Sequence, residues 1–283
     1  MLEKKSIEAY LNMEFNLYSH SSFQFGTYYA FMTKLISHTE KETSIRLINQ
    51  FNMFFVFSNL LDDIMDKDNE EIENISNLNK EFPIYLNYLL LSISSSLSKE
   101  EYSTFIGYIS ASLDYQNIES NSQLTINTTE EDYFSIYIKR SVYLLQAAVP
   151  LTNHPNVDAL YTATKYLAYF GQIKNDIDDL RGPKSSDLFN TRPTLPLIKA
   201  IEYAVTEKNN EIIHLIFSIN EDNFKLDSYD CITQFINKNG ILEHCAEIAL
   251  YFFDKSRKEL LAHFPEKKDY INSFFKNLIV KDD

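Results

Sequence analysis

The 283-residue chain lacks tryptophan and contains only two cysteines, five glycines and seven prolines. Cys231 and Cys245 are too few and too far apart for a disulfide framework or a zinc site. Scarce glycine and proline leave few places for tight turns, which favours long helices over hairpins. The apolar runs at 51–61 and 85–97 are interrupted by Asn and Ser and are too short to cross a bilayer, and residues 1–15 lack an apolar signal core. These absences predict a cytoplasmic protein without stable membrane insertion.

Acidic residues outnumber basic residues by 40 to 26, which gives a formal net charge of −14. This excess argues against nucleic acid or an anionic membrane surface as a partner. If such a protein binds a polyanion, cations must lie between the two. The 19 tyrosines and 21 phenylalanines are enough to build an aromatic core and to line an apolar cavity as well.

Apolar residues recur at helical spacing through most of the chain. The pattern predicts helices over residues 98–118, 131–149, 157–180, 194–205, 231–236 and 242–263. Thr128 and Thr129, followed by three acidic residues, predict a helix start, and Pro193 and Pro196 predict another. Because the sequence shows neither a repeat nor a linker, we expect a single all-α domain over residues 1–283, with roughly ten helices.

The first candidate site is an acidic cluster at the end of an apolar helical segment. Asp62 and Asp66 are four residues apart, with Asp63 beside them. At this spacing two carboxylates project from one helix face and repel each other unless a cation lies between them. Magnesium binds such oxygens while keeping positions open for phosphate. By itself, the cluster is equally typical of a solvated helix end in an acidic chain.

A second acidic cluster closes another long apolar segment. Asn175 and Asp179 share a helix face, and an Asn carbonyl oxygen is an acceptable magnesium ligand. Basic residues suited to phosphate oxygens flank or follow the cluster: Lys174, Arg181, Lys184 and Arg192. Two similar clusters, one of them followed by basic residues, predict metal-assisted binding of a phosphorylated substrate.

The arrangement resembles the trans-polyprenyl synthases of the class I isoprenoid synthase fold, over about residues 47–197. Residues 62–66 match the first aspartate-rich motif of that family, and residues 172–179 match the second, with Asn175 in place of its first Asp. The segments 186–188 and 192–196 resemble the stretch after the second motif, with Arg192 at a phosphate-binding Lys position. Gln116 and Glu119 resemble a mid-chain Gln-x-x-Asp pair, and Arg140-Ser141 resembles a Lys-Thr pair.

The resemblance implies a helical bundle around a central cavity, a homodimer formed through helices around the second motif, and about three Mg²⁺ ions bound with the diphosphate of an allylic prenyl substrate. The implied metal ligands are Asp62, Asp63, Asp66, Asn175, Asp176 and Asp179. The implied diphosphate-binding residues are Arg140, Gln172, Lys184, Arg192 and Gln116. The implied catalytic set is Asp62, Asp66, Asn175, Asp179 and Arg140.

The chain lacks the basic residues with which chain-elongating members bind isopentenyl diphosphate. The early basic motif has no counterpart around residues 19–31, Phe55 replaces a His, and an acidic stretch at 68–71 replaces an Arg-Arg-Gly motif. We therefore expect prenyl transfer to another acceptor. A divergent branch, the bacterial competence-pheromone prenyltransferases, suggests a Trp of a small peptide. A class I terpene synthase is the alternative; ordinary elongation and an inactive partner subunit are lesser ones.

The resemblance also implies aromatic residues around the prenyl chain. The expected cavity residues are Phe54, Phe55, Phe57 and Ser58. Phe57 lies five residues before Asp62, where family members place an aromatic that shortens the cavity, so a prenyl chain of geranyl or farnesyl length is expected. The alternative is that Phe57 only packs between helices.

Overall fold

The computed structural model describes residues 6–21, 23–36, 44–66, 75, 77–150, 153–182, 185–219 and 226–280. Within these ranges the regular structure is helical and contains no β-strand. The first helices are α1 (Ile7–Tyr18), α2 (Phe25–Ile36), α3 (Ile45–Asp66), α4 (Leu78–Ser94), α5 (Lys99–Ser120), the single turn α6 (Glu130–Asp132) and α7 (Lys139–Gln146). The remaining ones are α8 (Val157–Arg181), α9 (Ser186–Phe189), α10 (Leu195–Thr206), α11 (Asn210–Ser218), α12 (Leu226–Lys238), α13 (Ile241–His263) and α14 (Lys268–Val280).

These bounds confirm the all-α fold, and helical structure lies over each predicted segment. The segment predicted over 131–149 is divided by a π-helical turn, and its last helix ends at Gln146. Thr129 caps α6 through a reciprocal capping box with Asp132, and Pro196 lies in the first turn of α10, as expected from their positions. The structure adds helices outside the predicted segments. The short helices α9 and α11 hold too few apolar positions to show a helical repeat, whereas the longer helices α1, α2, α4 and α14 were not predicted although they have 12 to 17 residues.

A π-helical turn, Tyr133–Tyr137, joins α6 to α7. The amide of Ile138 donates to the carbonyl of Tyr133 at 3.1 Å, which closes a turn one residue wider than that of an α-helix. Tyr133 and Tyr137 both reach the pocket described below. Such wide turns are frequent at functional sites.

The chain divides into two compact units. The first unit comprises Met1–Ile109, Leu145–Thr162 and Arg257–Asp283, and the second comprises Ser110–Leu144 and Ala163–Ser256. The expectation of one domain over residues 1–283 stays a prediction.

In the first unit, one apolar cluster joins α1, α3 and α4. Its buried members are Ile7, Tyr10, Leu11, Val56, Phe57, Leu60, Ile75 and Phe82. Further aromatic rings pack α2 against α3: Phe25 lies 5.8 Å from Phe51 and 5.6 Å from Phe55, measured between ring centroids. This unit therefore has an aromatic core, as the supply of phenylalanine and tyrosine predicted.

In the second unit, aromatic contacts join the π-helical turn, α8 and α13. Phe134 lies 5.2 Å from Tyr169 and 5.3 Å from Phe252, and Phe170 lies 4.8 Å from Phe253, again between ring centroids. No helix in the described part of the chain is long and apolar enough to cross a membrane. A cytoplasmic location stays a prediction.

Candidate functional site

Helix α8 carries the second acidic motif in the second unit. Its apolar positions, among them Ile173, Ile177 and Leu180, are buried and fix its orientation. Asp176 lies on that buried side, whereas Asn175 is exposed and Asp179 is half-buried. The motif therefore distributes its polar side chains over different environments.

Asp176 is the centre of a buried hydrogen-bond network. Its carboxylate accepts hydrogen bonds from the Tyr133 hydroxyl at 2.7 Å, from Gln172 Nε2 at 2.8 Å and from the amide of Leu195 at 3.3 Å. Ser141 in turn donates to Gln172 Oε1 at 2.5 Å. One carboxylate thus ties together the π-helical turn, α8 and the start of α10.

Asp179 holds the segment that follows α8. Ser185 donates from its hydroxyl to Asp179 Oδ2, and the amide and hydroxyl of Ser186 both approach Asp179 Oδ1 at 3.2 Å. Ser185 also caps α9 by accepting from the amide of Leu188 at 3.0 Å. The Asp179 carboxylate is therefore already surrounded by donors at the beginning of α9.

Two arginines lie beside carboxylates in the same unit. Arg140 Nε lies 2.9 Å from Glu119 Oε2, at an ion-pair distance but without the alignment of a good hydrogen bond. Arg192 Nη1 lies 3.7 Å from Asp187 Oδ1, and both side chains are largely buried. By contrast, Arg181 pairs at 3.9 Å with the exposed Asp178, which also faces Lys174 at 3.7 Å.

These groups surround a small pocket in the second unit. It is lined by Glu119, Tyr133, Tyr137, Gln172, Asp176, Arg192, Pro193 and Thr194. Its free volume is about 10 Å³, enough for about one water-sized group. The structure therefore brings Gln172, Asp176 and Arg192 together at one pocket, with Arg140 paired to the pocket residue Glu119.

Burial raises the pKa values of the acids in this region. It raises the pKa of Asp176 to about 6, although the three donors oppose the shift. Burial, together with the charges of Asp179 and Asp176, raises the pKa of Asp187 well above its usual range, and Arg192 opposes this. Burial and the nearby Asp176 carboxylate also raise the pKa of the Tyr133 hydroxyl well above its usual value, so it remains a hydrogen-bond donor.

The first acidic motif ends α3 in the first unit. Asp62 and Asp63 are half-buried there, and Asp66 is the last residue of the helix, although its side chain lies outside the described part. The expected diphosphate ligand Lys184 also lies outside the described residues. Gln116 is buried on α5, one turn before Glu119.

The expected cavity residues occupy different positions on α3. Phe54 and Phe57 are buried, and the Phe57 ring lies 5.5 Å from that of Phe82 in the core of the first unit. Phe55 stacks on Tyr18 at 5.1 Å, and Ser58 is half-buried. A cavity role for these four residues stays a prediction, and Phe57 has the packing partners that its alternative role requires.

The residues fit magnesium by their chemistry. Within the described ranges, no three carboxylate, histidine or cysteine side chains converge on a ready-made metal site. Magnesium does not need one, because it is usually held by one or two carboxylates together with substrate phosphates and water. Asp62 and Asp63 in the first unit, and Asn175 and Asp179 in the second, carry oxygen atoms of that kind, and their role as ligands stays a prediction.

Three contributors to the site were assigned no role from the sequence: Tyr133, Asp187 and Thr194. Asp187 and Thr194 lie inside the segments 186–188 and 192–196, which resemble the family, and Tyr133 follows directly after the capping box. Their positions offered a signal, but their partners did not appear in the sequence. Their importance depends on which groups they meet, and only folding brings those groups together.

Comparison with known proteins places the fold. No protein-family profile matches the chain, and no curated protein does either. Solved structures do match: a polyprenyl synthase from Caulobacter crescentus CB15, solved with calcium and isoprenyl diphosphate, has a TM-score of 0.73 at 13% identity, covering 98% of this chain and 89% of that one.

Two other similar structures agree. A heptaprenyl diphosphate synthase from Staphylococcus aureus has a TM-score of 0.69 at 17% identity, covering 98% of this chain and 93% of that one. A decaprenyl diphosphate synthase from Rhodobacter capsulatus has a TM-score of 0.70 at 17% identity, covering 90% and 85%. The chain therefore has the all-helical fold of the polyprenyl synthases, as the resemblance implied.

Proposed function

We propose that this protein ionises a short allylic prenyl diphosphate and transfers the prenyl group to an acceptor other than isopentenyl diphosphate. One observation carries the proposal. On the polyprenyl synthase fold, Arg192 and Gln172 line one polar pocket next to the second acidic motif, and Arg140 is paired to a residue of that pocket. The Caulobacter crescentus relative, solved with calcium and isoprenyl diphosphate, supports a divalent metal and a prenyl diphosphate here.

In this reaction the bond between the allylic carbon and the diphosphate oxygen breaks, and the electron pair leaves with pyrophosphate. Arg140 and Arg192 would bind the diphosphate and neutralise the negative charge that grows on the leaving oxygen. Bound magnesium would supply Lewis-acid stabilisation of the same charge. Asp62, Asp63 and Asp66 are the candidate ligands in the first unit, and Asn175 and Asp179 in the second.

Both arginines lie beside acidic side chains. Glu119 Oε2 lies 2.9 Å from Arg140 Nε, and Asp187 Oδ1 lies 3.7 Å from Arg192 Nη1. Diphosphate must therefore compete for guanidinium groups that are already in place and largely buried. Such pre-positioning lowers the cost of ordering long side chains on binding.

The surroundings of Phe55 support an acceptor that carries no second diphosphate. Phe55 stacks on Tyr18 and Phe25, so an apolar group occupies the place of a basic one in elongating relatives. An acceptor that carries a second diphosphate would find no basic side chain at this position to bind it. A neutral aromatic acceptor such as a Trp of a small peptide would not need that basic side chain, and neither would cyclisation by a terpene synthase.

The test is incubation of the purified protein with geranyl, farnesyl or geranylgeranyl diphosphate and Mg²⁺, with and without isopentenyl diphosphate. Products are identified by mass spectrometry. Arg192→Ala should lower kcat/KM by about 100-fold, because one charge-stabilising donor is lost. Arg181→Ala is the matched control: this arginine pairs with exposed Asp178, and its loss should leave the rate close to wild type.

The products separate the candidates. Slow release of pyrophosphate, accelerated by a Trp-containing peptide that becomes prenylated, supports the proposal. Cyclic hydrocarbons or alcohols from one diphosphate would identify a terpene synthase. Lengthened diphosphates would identify an elongating enzyme. No Mg²⁺-dependent binding or turnover of any diphosphate would indicate an inactive partner subunit.

We also propose that the protein is a homodimer. Ile84, Tyr88 and Leu91 lie at successive turns of α4 and are 54%, 70% and 67% exposed, which is unusual for large apolar side chains. The resemblance implied a dimer formed through helices around the second motif; we propose this face of the first unit instead, because its apolar side chains are exposed. Tyr88→Glu should shift sedimentation toward the monomer, while Lys80→Glu, on the same helix but outside this apolar group, should not.

A further inference from the structure

Thr194 carries a buried hydroxyl that the fold leaves unused. The residue is only 8% exposed, and none of the described residues provides a hydrogen-bond partner for its Oγ1 atom. It lines the same pocket as Arg192 and Gln172. A buried polar group without a partner destabilises the folded chain, so its presence calls for an explanation.

The position of Thr194 makes the unused hydroxyl more unusual. Thr194 is the residue before α10, where a threonine normally accepts a hydrogen bond from an amide in the first helical turn. Here it makes no such bond. Pro196, the second residue of the helix, has no amide hydrogen, and the amide of Leu197, the third, does not donate to the Thr194 side chain either. The hydroxyl therefore does not take the usual capping role.

The surroundings of the hydroxyl favour an oxyanion. Arg192, two residues earlier, lines the pocket, and the start of the 12-residue helix α10 contributes a partial positive charge. The two acidic residues of the pocket, Glu119 and Asp176, already interact with other groups. Glu119 lies 2.9 Å from Arg140, and Asp176 accepts three hydrogen bonds. The pocket has room for about one oxygen-sized group.

We propose that the Thr194 hydroxyl is a further substrate-binding group, which donates a hydrogen bond to a terminal oxygen of the diphosphate. The proposal rests on the proposed function and adds a neutral donor to Arg192 on the same short segment. The competing occupant is a single water molecule, which would satisfy Thr194 without any role in binding substrate.

The experiment measures binding of inorganic pyrophosphate to the full-length protein in the presence of MgCl₂ by titration calorimetry. Thr194→Val keeps the shape and removes the hydroxyl, and Thr194→Ser restores it. Thr194→Val should bind pyrophosphate about tenfold more weakly, the effect of losing one hydrogen bond to a charged group. Thr194→Ser should bind close to wild type.

Thr128→Val is the matched control. Thr128 is equally buried in the same unit, but its hydroxyl accepts from the amide of Thr125 at 2.9 Å and bonds to the Thr125 hydroxyl at 3.0 Å. Removal of the Thr128 hydroxyl should lower the melting temperature and leave the affinity for pyrophosphate unchanged. Thr194→Val should instead lower the affinity for pyrophosphate and, without ligand, leave the melting temperature unchanged or raise it.

Two results would overturn the inference and leave the proposed function intact. If Thr194→Val binds pyrophosphate as tightly as the wild type, the hydroxyl binds a water molecule and not the diphosphate. If Thr194→Val lowers the melting temperature as Thr128→Val does, the hydroxyl has a structural partner. If the wild-type protein fails to bind pyrophosphate with Mg²⁺, the proposed function fails together with the inference. Wild-type binding therefore distinguishes the two failures.

Discussion

The two acidic motifs are alike in sequence and differ in their surroundings. Each closes a long apolar helix, with polar side chains spaced four residues apart. On α3 the helix is held by aromatic packing, and Asp62 and Asp63 remain half-buried at its end. On α8, Asp176 and Asp179 themselves hold the structure, by accepting hydrogen bonds from the π-helical turn, α10 and the segment before α9. Aspartate spacing therefore does not reveal which carboxylates are also structural.

The largest effect is expected where α3 depends on packing. Phe57→Ala should lower the free energy of unfolding by about 3–5 kcal/mol, because it leaves a cavity in the core of the first unit. Urea titration measures this loss. If Phe57 also ends the prenyl cavity, the variant should accept a longer diphosphate; an unchanged length preference would leave Phe57 with packing alone.

The close approach of α2 to α3 gives the next test. A Cβ atom on Gly26 would lie 2.0 Å from the carbonyl oxygen of Ile48, and the Gly26 amide donates to Asn52 Oδ1 at 2.7 Å. Gly26→Ala should therefore cost about 3 kcal/mol, since one helix must move. A melting temperature equal to wild type would contradict this close contact.

The polar support of α8 should appear as a pH dependence. Burial raises the pKa of Asp176 from 3.8 to about 6, so between these values the folded chain binds a proton that the unfolded chain releases. The free energy of unfolding of the wild type therefore falls as pH rises through this window. Asp176→Asn has no carboxyl group at this position and should not show that fall. Between pH 4 and pH 7, the free energy of unfolding of the variant should therefore rise by about 2 kcal/mol relative to that of the wild type. The measurement is urea unfolding without magnesium, and a pH-independent difference would contradict it.

The smallest effect sharpens the contrast with Gly26. Gly171 lies within α8, and a Cβ atom there would meet no atom of the described residues within 4 Å. Gly171→Ala should raise the free energy of unfolding by about 0.5–1 kcal/mol, because alanine loses less backbone freedom in a helix. Thermal unfolding of the two alanine variants side by side tests both. Destabilisation at Gly171 would mean that α8 also lies against a close neighbour.

The sequence by itself determined the helical fold, about half of the helix positions and the two acidic motifs. Helical periodicity, the capping residues Thr129 and Pro196, and the spacing of Asp62 and Asp66 are local properties, set by neighbours within a few turns. Arg140 and Arg192 were predicted as diphosphate-binding residues from the resemblance of the segments that contain them, and that role stays a prediction. Such signals survive in the sequence because each depends on a short stretch of chain.

Only the tertiary structure decided which of these groups are buried and what they touch. The contact of Tyr133 with Asp176 spans 43 residues, and that of Leu195 with Asp176 spans 19. Whether Thr194 caps its helix or keeps an unused hydroxyl depends on the amides and side chains that folding brings near it. Hydrogen bonds between distant segments, and the burial that accompanies them, leave no repeating pattern in the sequence. They can therefore be seen only once the helices are packed.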